Sequence, residues 1–318
     1  GRVREVVEER LDLVEELVDR LGALRRQGAG QAAVLVEHQR RAGAVGDAHL
    51  VVGVAGEGVL ATCVGATLRV SEDDGRTWTY RDLTELPFQA KQLGFFRDPV
   101  LTPGGAVVGP SDGVPNPERK PIESDHNAAY CLRSEDDGDT WELVTVAHDP
   151  DGVHGFAEPH IAILPSGRLL MMIRHNRGLG DDKYIYKAIS DDEGKTWSQP
   201  VELPASLTGD RHTGVYTSDG RLFISFRDTT HVSPTKGDWV GWVDTYDDIV
   251  QGREGQYRVR LMENHKSGDC AYPGVEILPD DTIVTTTYGH WTAGQQPYIM
   301  SVRLKLSELD QKAARQKK

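Results

Sequence analysis

The sequence predicts an all-β fold of repeated strand–turn–strand units, preceded by one amphipathic helix. Two observations predict the β fold: short apolar runs rich in β-branched residues follow one another from about residue 46, and two sequence patterns recur along the chain. The runs are broken by Gly, Pro, Asp and Asn and are too short for helices. They include HLVVGVA, GVLATCV, HIAILP, RLLMMIR, RLFISFR, VEILP and TIVTTTY.

The first segment has a different pattern, which predicts a helix ending near residue 28. Apolar residues recur at alternating steps of four and three, as on one face of a helix; they are Val7, Leu11, Val14, Val18 and Leu21. This helix either packs on its own domain or forms a coiled coil that makes a homodimer. Because the seam covers only about two heptads, packing on its own domain is favoured. We therefore expect an N-terminal helical segment over 1–46, a β domain over 47–306 and a C-terminal tail over 307–318.

Composition and charge exclude several classes of partner. The 318 residues carry a formal net charge of −13, whereas a nucleic-acid binder is expected to show a basic stripe, so no nucleic-acid partner is predicted. No apolar run reaches the 18 residues of a membrane span. Cys63, Cys131 and Cys270 are odd in number and contain no CxxC pair, which favours buried free thiols. The chain starts at Gly1, so its localisation is unknown, and a secreted or periplasmic location is compatible with the sequence.

An eight-residue pattern, S-x-D-x-G-x-T-W, occurs at 71–78, 134–141 and 190–197. Its Asp can accept hydrogen bonds from turn amides, its Gly supplies positive φ, and its Trp is a large apolar anchor. The pattern resembles the Asp box of the sialidase (neuraminidase) superfamily, whose members contain BNR repeats. That resemblance covers about residues 48–305 and implies a β-propeller of the sialidase type. In that family the box joins the third and fourth strands of a blade and has a structural role.

A second repeat predicts where polar side chains converge. Each unit is a strand, a tight turn and a second strand, and two equivalent positions sixteen residues apart hold Glu158 and Arg174, Arg211 and Arg227, and Tyr272 and Tyr288. In a propeller the start of the first strand and the end of the second lie at the same end of the central channel, so these side chains should ring one mouth. Units start near residues 48, 97, 158, 211 and 272. Five units are therefore visible, whereas the superfamily usually has six blades.

The resemblance implies a catalytic plan in which a Tyr replaces one of the two usual carboxylates. Tyr272, at the start of YPGVEILPDD, resembles the family's nucleophile, and Glu158 resembles the base that activates it. An arginine fork matches the carboxylate of a sialic acid, and the implied clamp is Arg174 with Arg227 or Arg211. Each residue also has a structural alternative: a buried ion pair, a wall of the channel or a bridge between blades.

Two further assignments lie earlier in the chain. Arg97, in FRDPV, resembles the arginine of the family's Arg-Ile-Pro motif, with Asp98 in place of Ile. Asp125, in ESDHNAAY, lies where the family often has its acid/base, and Asp112 is the rival for that role.

The predicted function is therefore that of a retaining exo-glycosidase of the sialidase type, acting on a terminal sialic or related acidic sugar without a cofactor. The alternatives are a non-catalytic Asp-box propeller that binds glycans or a protein partner, and a different hydrolase or lyase for an acidic sugar. Six histidines lie near the same strand ends but lack metal-ligand spacing, so hydrogen-bonding roles are favoured over a metal site; they are His126, His154, His160, His175, His212 and His290.

Overall fold

The structure is a computed structural model. It describes residues 35–39, 48–55, 58–62, 67–71, 77, 79–82, 93–96, 99–113, 128–136, 138–149, 155–163, 166–175, 185–230, 233–266 and 269–316. The predicted N-terminal helix lies outside these residues, as do Arg97 and Asp125.

The described residues form an all-β fold of five antiparallel sheets that follow one another along the chain. The first sheet contains β1 (Leu35–Gln39), β2 (Ala48–Ala55), β3 (Gly58–Thr62), β4 (Thr67–Ser71) and β5 (Thr79–Asp82). The second contains β6 (Leu93–Phe96), β7 (Val100–Leu101), β8 (Val107–Gly113), β9 (Ala128–Ser134) and β10 (Glu142–His148). The third contains β11 (Phe156–Ile163), β12 (Leu169–His175), β13 (Tyr186–Ser190) and β14 (Val201–Glu202).

The fourth sheet contains β15 (Gly209–Tyr216), β16 (Arg221–Asp228), β17 (Trp239–Thr245) and β18 (Tyr257–Met262). The fifth contains β19 (Gly274–Ile277), β20 (Ile283–Gly289) and β21 (Tyr298–Leu304). Two helices accompany them, α1 (Tyr246–Val250) between β17 and β18, and α2 (Leu306–Gln316) after β21. The segment predicted as a C-terminal tail thus forms α2, and β1 extends the first sheet to residues before the expected boundary at 47.

Neighbouring sheets pack as blades of a propeller. Contacts join β2 to β7, β8 to β11, β11 to β15 and β15 to β19. Because β11, β15 and β19 are the first strands of their sheets, these contacts place them around the centre. The side chains between the third and fourth blades are apolar and buried, as expected for a core between two sheets; they include Leu170, Met172, Leu222, Ile224 and Trp242. The β-propeller prediction is confirmed.

The Asp box at 134–141 forms the hydrogen-bonded turn predicted from its sequence. Asp136 accepts hydrogen bonds from the amide and the hydroxyl of Thr140, at 2.7 and 2.6 Å. The hydroxyl of Ser134 accepts one from the amide of Gly138, which has a φ of 87°. The indole of Trp141 donates to the carbonyl of Gly138 at 3.0 Å. The box therefore ties its own ends together and buries its Trp.

The box at 190–197 repeats these bonds. Asp192 accepts from the amide of Thr196 at 2.9 Å, and the indole of Trp197 donates to the carbonyl of Gly194 at 3.1 Å. The two boxes connect β9 to β10 and β13 to β14, the third and fourth strands counted outward from β6 or β11. Both therefore lie at the far end of the blade from the ends where β11 begins and β12 finishes.

Candidate functional site

The same β-bulge occurs at the start of two neighbouring blades. The register of β11 with β12 shifts between Ala157 and His160, and the register of β15 with β16 shifts between Asp210 and Thr213. A bulge leaves an extra residue out of the ladder and re-aims its side chain. The bulges therefore turn side chains away from the regular strand directions at the mouth of the channel.

The bulge residues with the left-handed backbone are Glu158, with a φ of 48°, and Arg211, with a φ of 68°. Neither is Gly, so each conformation costs about 1–3 kcal/mol and is kept by the surrounding structure. These two residues hold the same position in the predicted repeat. The sequence register is thus reproduced by the strand pairing.

The fifth blade continues this arrangement. The amide of Ala271 donates to the carbonyl of Tyr288 at 3.0 Å, and Gly274 pairs with Thr286. Compared with the other two blades, this register places Tyr272 where they have Glu158 and Arg211. In this blade the left-handed residue is Ala271, with a φ of 59°.

Five charged side chains form an alternating chain across two blades. Arg174 donates to Glu158 at 2.6 Å and lies 2.7 Å from Asp210, so one guanidinium joins both carboxylates. Arg211 contacts the other oxygen of Glu158, and Arg227 contacts the other oxygen of Asp210. The side chains are 10–24% exposed. Three arginines against two carboxylates leave this chain with an excess of one positive charge.

The ion pairs shift the pKa values of their members in the expected directions. Burial alone would raise the pKa of Asp210, but Arg174 and Arg227 outweigh it and hold that pKa below its usual range. Burial alone would lower the pKa of Arg174, but Asp210 and Glu158 outweigh it and raise that pKa. Arg174 and Asp210 are therefore both ionised at neutral pH.

Arg211 also joins this chain to Tyr272. Its guanidinium carbon lies 3.5 Å from the centroid of the Tyr272 ring, a cation–π contact. The ring of Tyr272 stacks on that of Tyr288, with centroids 6.0 Å apart and planes at 19°. Arg211 thus contacts both Glu158 and Tyr272. Together with Asp210, the structure brings five of the sequence-predicted site residues into one connected group: Glu158, Arg174, Arg211, Arg227 and Tyr272.

A carboxylate that the sequence did not point to lies behind the two tyrosines. Asp269 accepts a hydrogen bond from the hydroxyl of Tyr288 at 3.2 Å, and its other oxygen lies 3.3 Å from Nε2 of His290. Burial, with Asp269 as a further cause, raises the pKa of Tyr288 to about 12. Burial alone would raise the pKa of Asp269, but its bonds to His290 and Tyr288 lower it. The sequence also did not point to Asp210, because this residue comes just before Arg211 and lies outside the two equivalent positions of the repeat.

Asp112, the rival for the acid/base role, supports the first bulge. It lies on β8, is buried, and accepts the amide of Glu158 at 2.8 Å. This bond holds the left-handed residue of β11 from the neighbouring blade. The contact suits a positioning carboxylate. The roles assigned to Arg97 and Asp125 stay predictions, since both residues lie outside the described parts of the chain.

His160, His175, His212 and His290 are buried, as are Cys131 and Cys270. Burial lowers the pKa of His212 to about 4, and its ring stacks on Phe226 at a centroid distance of 4.6 Å. Cys131 and Cys270 are free, and burial raises the pKa of each thiol to about 12.

Within the described residues no group of three or more His, Cys, Asp and Glu side chains has the geometry of a metal site. Among the helices that the structure describes, none has the length and apolar character that crossing a membrane requires.

Residues 34–278 match the BNR repeat-like domain family, and the chain belongs to that family. No curated protein matches the chain significantly. Among solved structures it resembles the intramolecular trans-sialidase of Ruminococcus gnavus in complex with oseltamivir carboxylate, with 16% identity and a TM-score of 0.54 over 87% of this chain and 59% of that one. This chain thus spans less than two thirds of the trans-sialidase.

Two further solved structures have similar identities and TM-scores. The α-L-arabinanase of Penicillium chrysogenum, complexed with arabinobiose, has 14% identity and a TM-score of 0.54 over 86% of this chain and 81% of that one. The GH93 α-L-arabinofuranosidase of Fusarium graminearum, also with arabinobiose, has 14% identity and a TM-score of 0.52 over 77% of each chain. At these identities the likeness shows the sialidase-type propeller fold, which hosts more than one glycosidase activity among these relatives.

Proposed function

We propose that this protein is a retaining exo-glycoside hydrolase that removes a terminal sialic or related acidic sugar. One observation carries the proposal: Arg211 contacts both Glu158 and Tyr272, and all three start neighbouring blades at equivalent positions. Arg211 therefore links the carboxylate of Glu158 to the phenol ring of Tyr272. The fold that the chain shares with these glycosidases also supports a glycoside hydrolase.

In this mechanism Tyr272 is the nucleophile. Its hydroxyl proton passes to Glu158 while the phenolic oxygen forms a bond to the anomeric carbon. The bond from that carbon to the leaving-group oxygen breaks, and an acid, for which Asp125 is the candidate, protonates that oxygen. In the second step the deprotonated acid takes a proton from water, whose oxygen bonds to the anomeric carbon. The bond from that carbon to Tyr272 breaks, and Glu158 returns its proton to the phenolate, so that the configuration is retained overall. Arg174 with Arg211 or Arg227 would hold the sugar carboxylate.

A second candidate is a hydrolase for a neutral sugar, and the ion pairs favour it. Arg174 already contacts two carboxylates, and Arg227 and Arg211 each contact one. Guanidinium donors that are occupied in this way are less available to the carboxylate of a substrate. Two of the similar structures hold arabinobiose, which is a neutral sugar.

The deciding experiment is a panel of fluorogenic glycosides, with 4-methylumbelliferyl α-N-acetylneuraminide and α-L-arabinofuranoside as the central pair. Hydrolysis of the sialoside, with the retained anomer released first in ¹H NMR, supports the leading proposal. Hydrolysis of the arabinofuranoside alone supports the second. If neither is cleaved but N-acetylneuraminic acid binds saturably in saturation-transfer NMR, the protein is a glycan-binding propeller and both enzyme proposals fail.

A further inference from the structure

The strongest group outside the ion-pair chain is the one behind the tyrosine stack. It contains Asp269, His290, Tyr288 and Lys266. Asp269 is 36% exposed and His290 only 7% exposed. Lys266, 3.9 Å from the same carboxylate, is 62% exposed and adds little. The proposed mechanism uses none of these side chains.

Hydrogen bonds link the backbone around His290, through the imidazole of His290, to the carboxylate of Asp269. The amide of His290 donates to the side chain of Asn264 at 3.0 Å, and its Nδ1 lies 3.3 Å from the carbonyl of Gln295. The two ring nitrogens thus face acceptor oxygens on opposite sides, the Gln295 carbonyl at Nδ1 and the Asp269 carboxylate at Nε2. A carboxylate held by such a ring is fixed in orientation.

Asp269 transmits this constraint to Tyr288. The hydroxyl of Tyr288 donates to Asp269, so the ring cannot swing about its Cα–Cβ bond without losing that hydrogen bond. Tyr288 in turn forms one face of the stack with Tyr272. Tyr272 also contacts the guanidinium of Arg211. One wall of the Tyr272 position is therefore set by Asp269 acting through Tyr288.

We propose that Asp269 and His290 are positioning residues that hold Tyr288, and through the stacked rings Tyr272, in the orientation used at the site. This inference rests on the proposed function only where it takes Tyr272 to be the reacting group. The coupling of Asp269 to Tyr272 through Tyr288 does not depend on that function. A displacement of about 1 Å at a reacting group can reduce turnover about 10²-fold. Substitution of Asp269 or His290 should therefore change kcat far more than KM.

The first test needs no substrate. Protein labelled with ¹³C-tyrosine gives ring signals that Y272F and Y288F assign by their loss. We expect D269N to shift the signals of both Tyr288 and Tyr272, and Y288F to shift that of Tyr272. H290Q should act as D269N does, and D269E should restore part of the original spectrum. The matched controls D280N and Y298F alter a surface carboxylate and a surface tyrosine, and they should move neither signal.

The second test uses whichever 4-methylumbelliferyl glycoside the wild type hydrolyses. D269N and H290Q should lower kcat about 10²-fold with KM nearly unchanged, while D280N and Y298F keep full activity. A Tyr272 signal that stays in place in folded D269N and Y288F overturns the inference. If the wild type hydrolyses no glycoside, the proposed function fails while the spectra still decide on the coupling.

Discussion

The guanidinium of Arg211 covers the ring of Tyr272, with 3.5 Å between the guanidinium carbon and the ring centroid. The same guanidinium contacts Glu158. A cation–π contact of this kind contributes about 0.5–2 kcal/mol, more when it is shielded from water. It also fixes the plane of the phenol relative to the carboxylate that is proposed as its base. The site is thus organised by an arginine that belongs to a blade between those of its two partners.

Asp210→Asn should destabilise the fold. The neutral amide leaves Arg174 and Arg227 buried without their shared carboxylate, and breaking such a pair costs about 3 kcal/mol or slightly more. Urea denaturation followed by tryptophan fluorescence measures the change. Asp280→Asn is the control, because Asp280 pairs with Lys305 on the surface and its loss should leave the midpoint unchanged. Equal midpoints for the two variants would contradict the buried ion-pair chain.

The stability difference between wild type and Asp210→Asn should depend on pH. The pKa of Asp210 is depressed in the folded state, so its contribution is complete above the usual carboxyl pKa and is lost as the pH falls through the folded value. The difference should hold from pH 7 to about pH 5, begin to narrow near pH 4, and close only below the depressed pKa of folded Asp210. Denaturation curves at unit steps of pH measure it. A difference that grows on acidification would show that the sign, and hence the pairing, is wrong.

Trp141→Ala should cost about 3–5 kcal/mol of stability and leave ligand binding intact. Its indole is 5% exposed and is tied to its own turn. The box lies seven residues along β9 from the end near the site, or about 20 Å. Trp197→Ala is the control, since Trp197 is only partly buried and should cost less. A Trp141 variant that keeps its thermal midpoint but loses ligand binding would assign the box a functional role.

Much of the fold follows from local sequence. The Asp boxes are visible because the two described turns, at 134–141 and 190–197, close their hydrogen bonds within eight residues, as at Ser134 and Asp136. The equivalence of Glu158, Arg211 and Tyr272 is also visible, because blades repeat the same register. A repeat pattern therefore predicts both the sheet and the position of its mouth residues.

The contacts among those residues could not be predicted in the same way. Arg174 pairs with Asp210 of the next blade, a contact set by the angle between sheets and by two bulges. Neither leaves a sequence pattern. Asp269 was missed because it belongs to a connection without a repeat and is recognised only from its bond to Tyr288.

Tyr272→Phe should abolish hydrolysis and leave ligand affinity nearly unchanged. The substitution keeps the ring that contacts Arg211 and Tyr288 and removes only the oxygen that would attack the sugar. The loss in kcat should be roughly 10³-fold or more. Steady-state kinetics on the fluorogenic glycoside measure turnover, and saturation-transfer NMR with the free sugar measures affinity.

Tyr298→Phe is the matched control for this change. Tyr298 is on the surface, 38% exposed, and its hydroxyl contacts Thr292 instead of the site. The two variants lose the same atom, so an effect that is specific to Tyr272 cannot come from the loss of a phenol as such. If Tyr272→Phe retains turnover, Tyr272 is a wall of the channel and the nucleophile is a different group. A retained anomer in the product would then direct the search to Glu158 and Asp210, the two carboxylates that Arg174 joins.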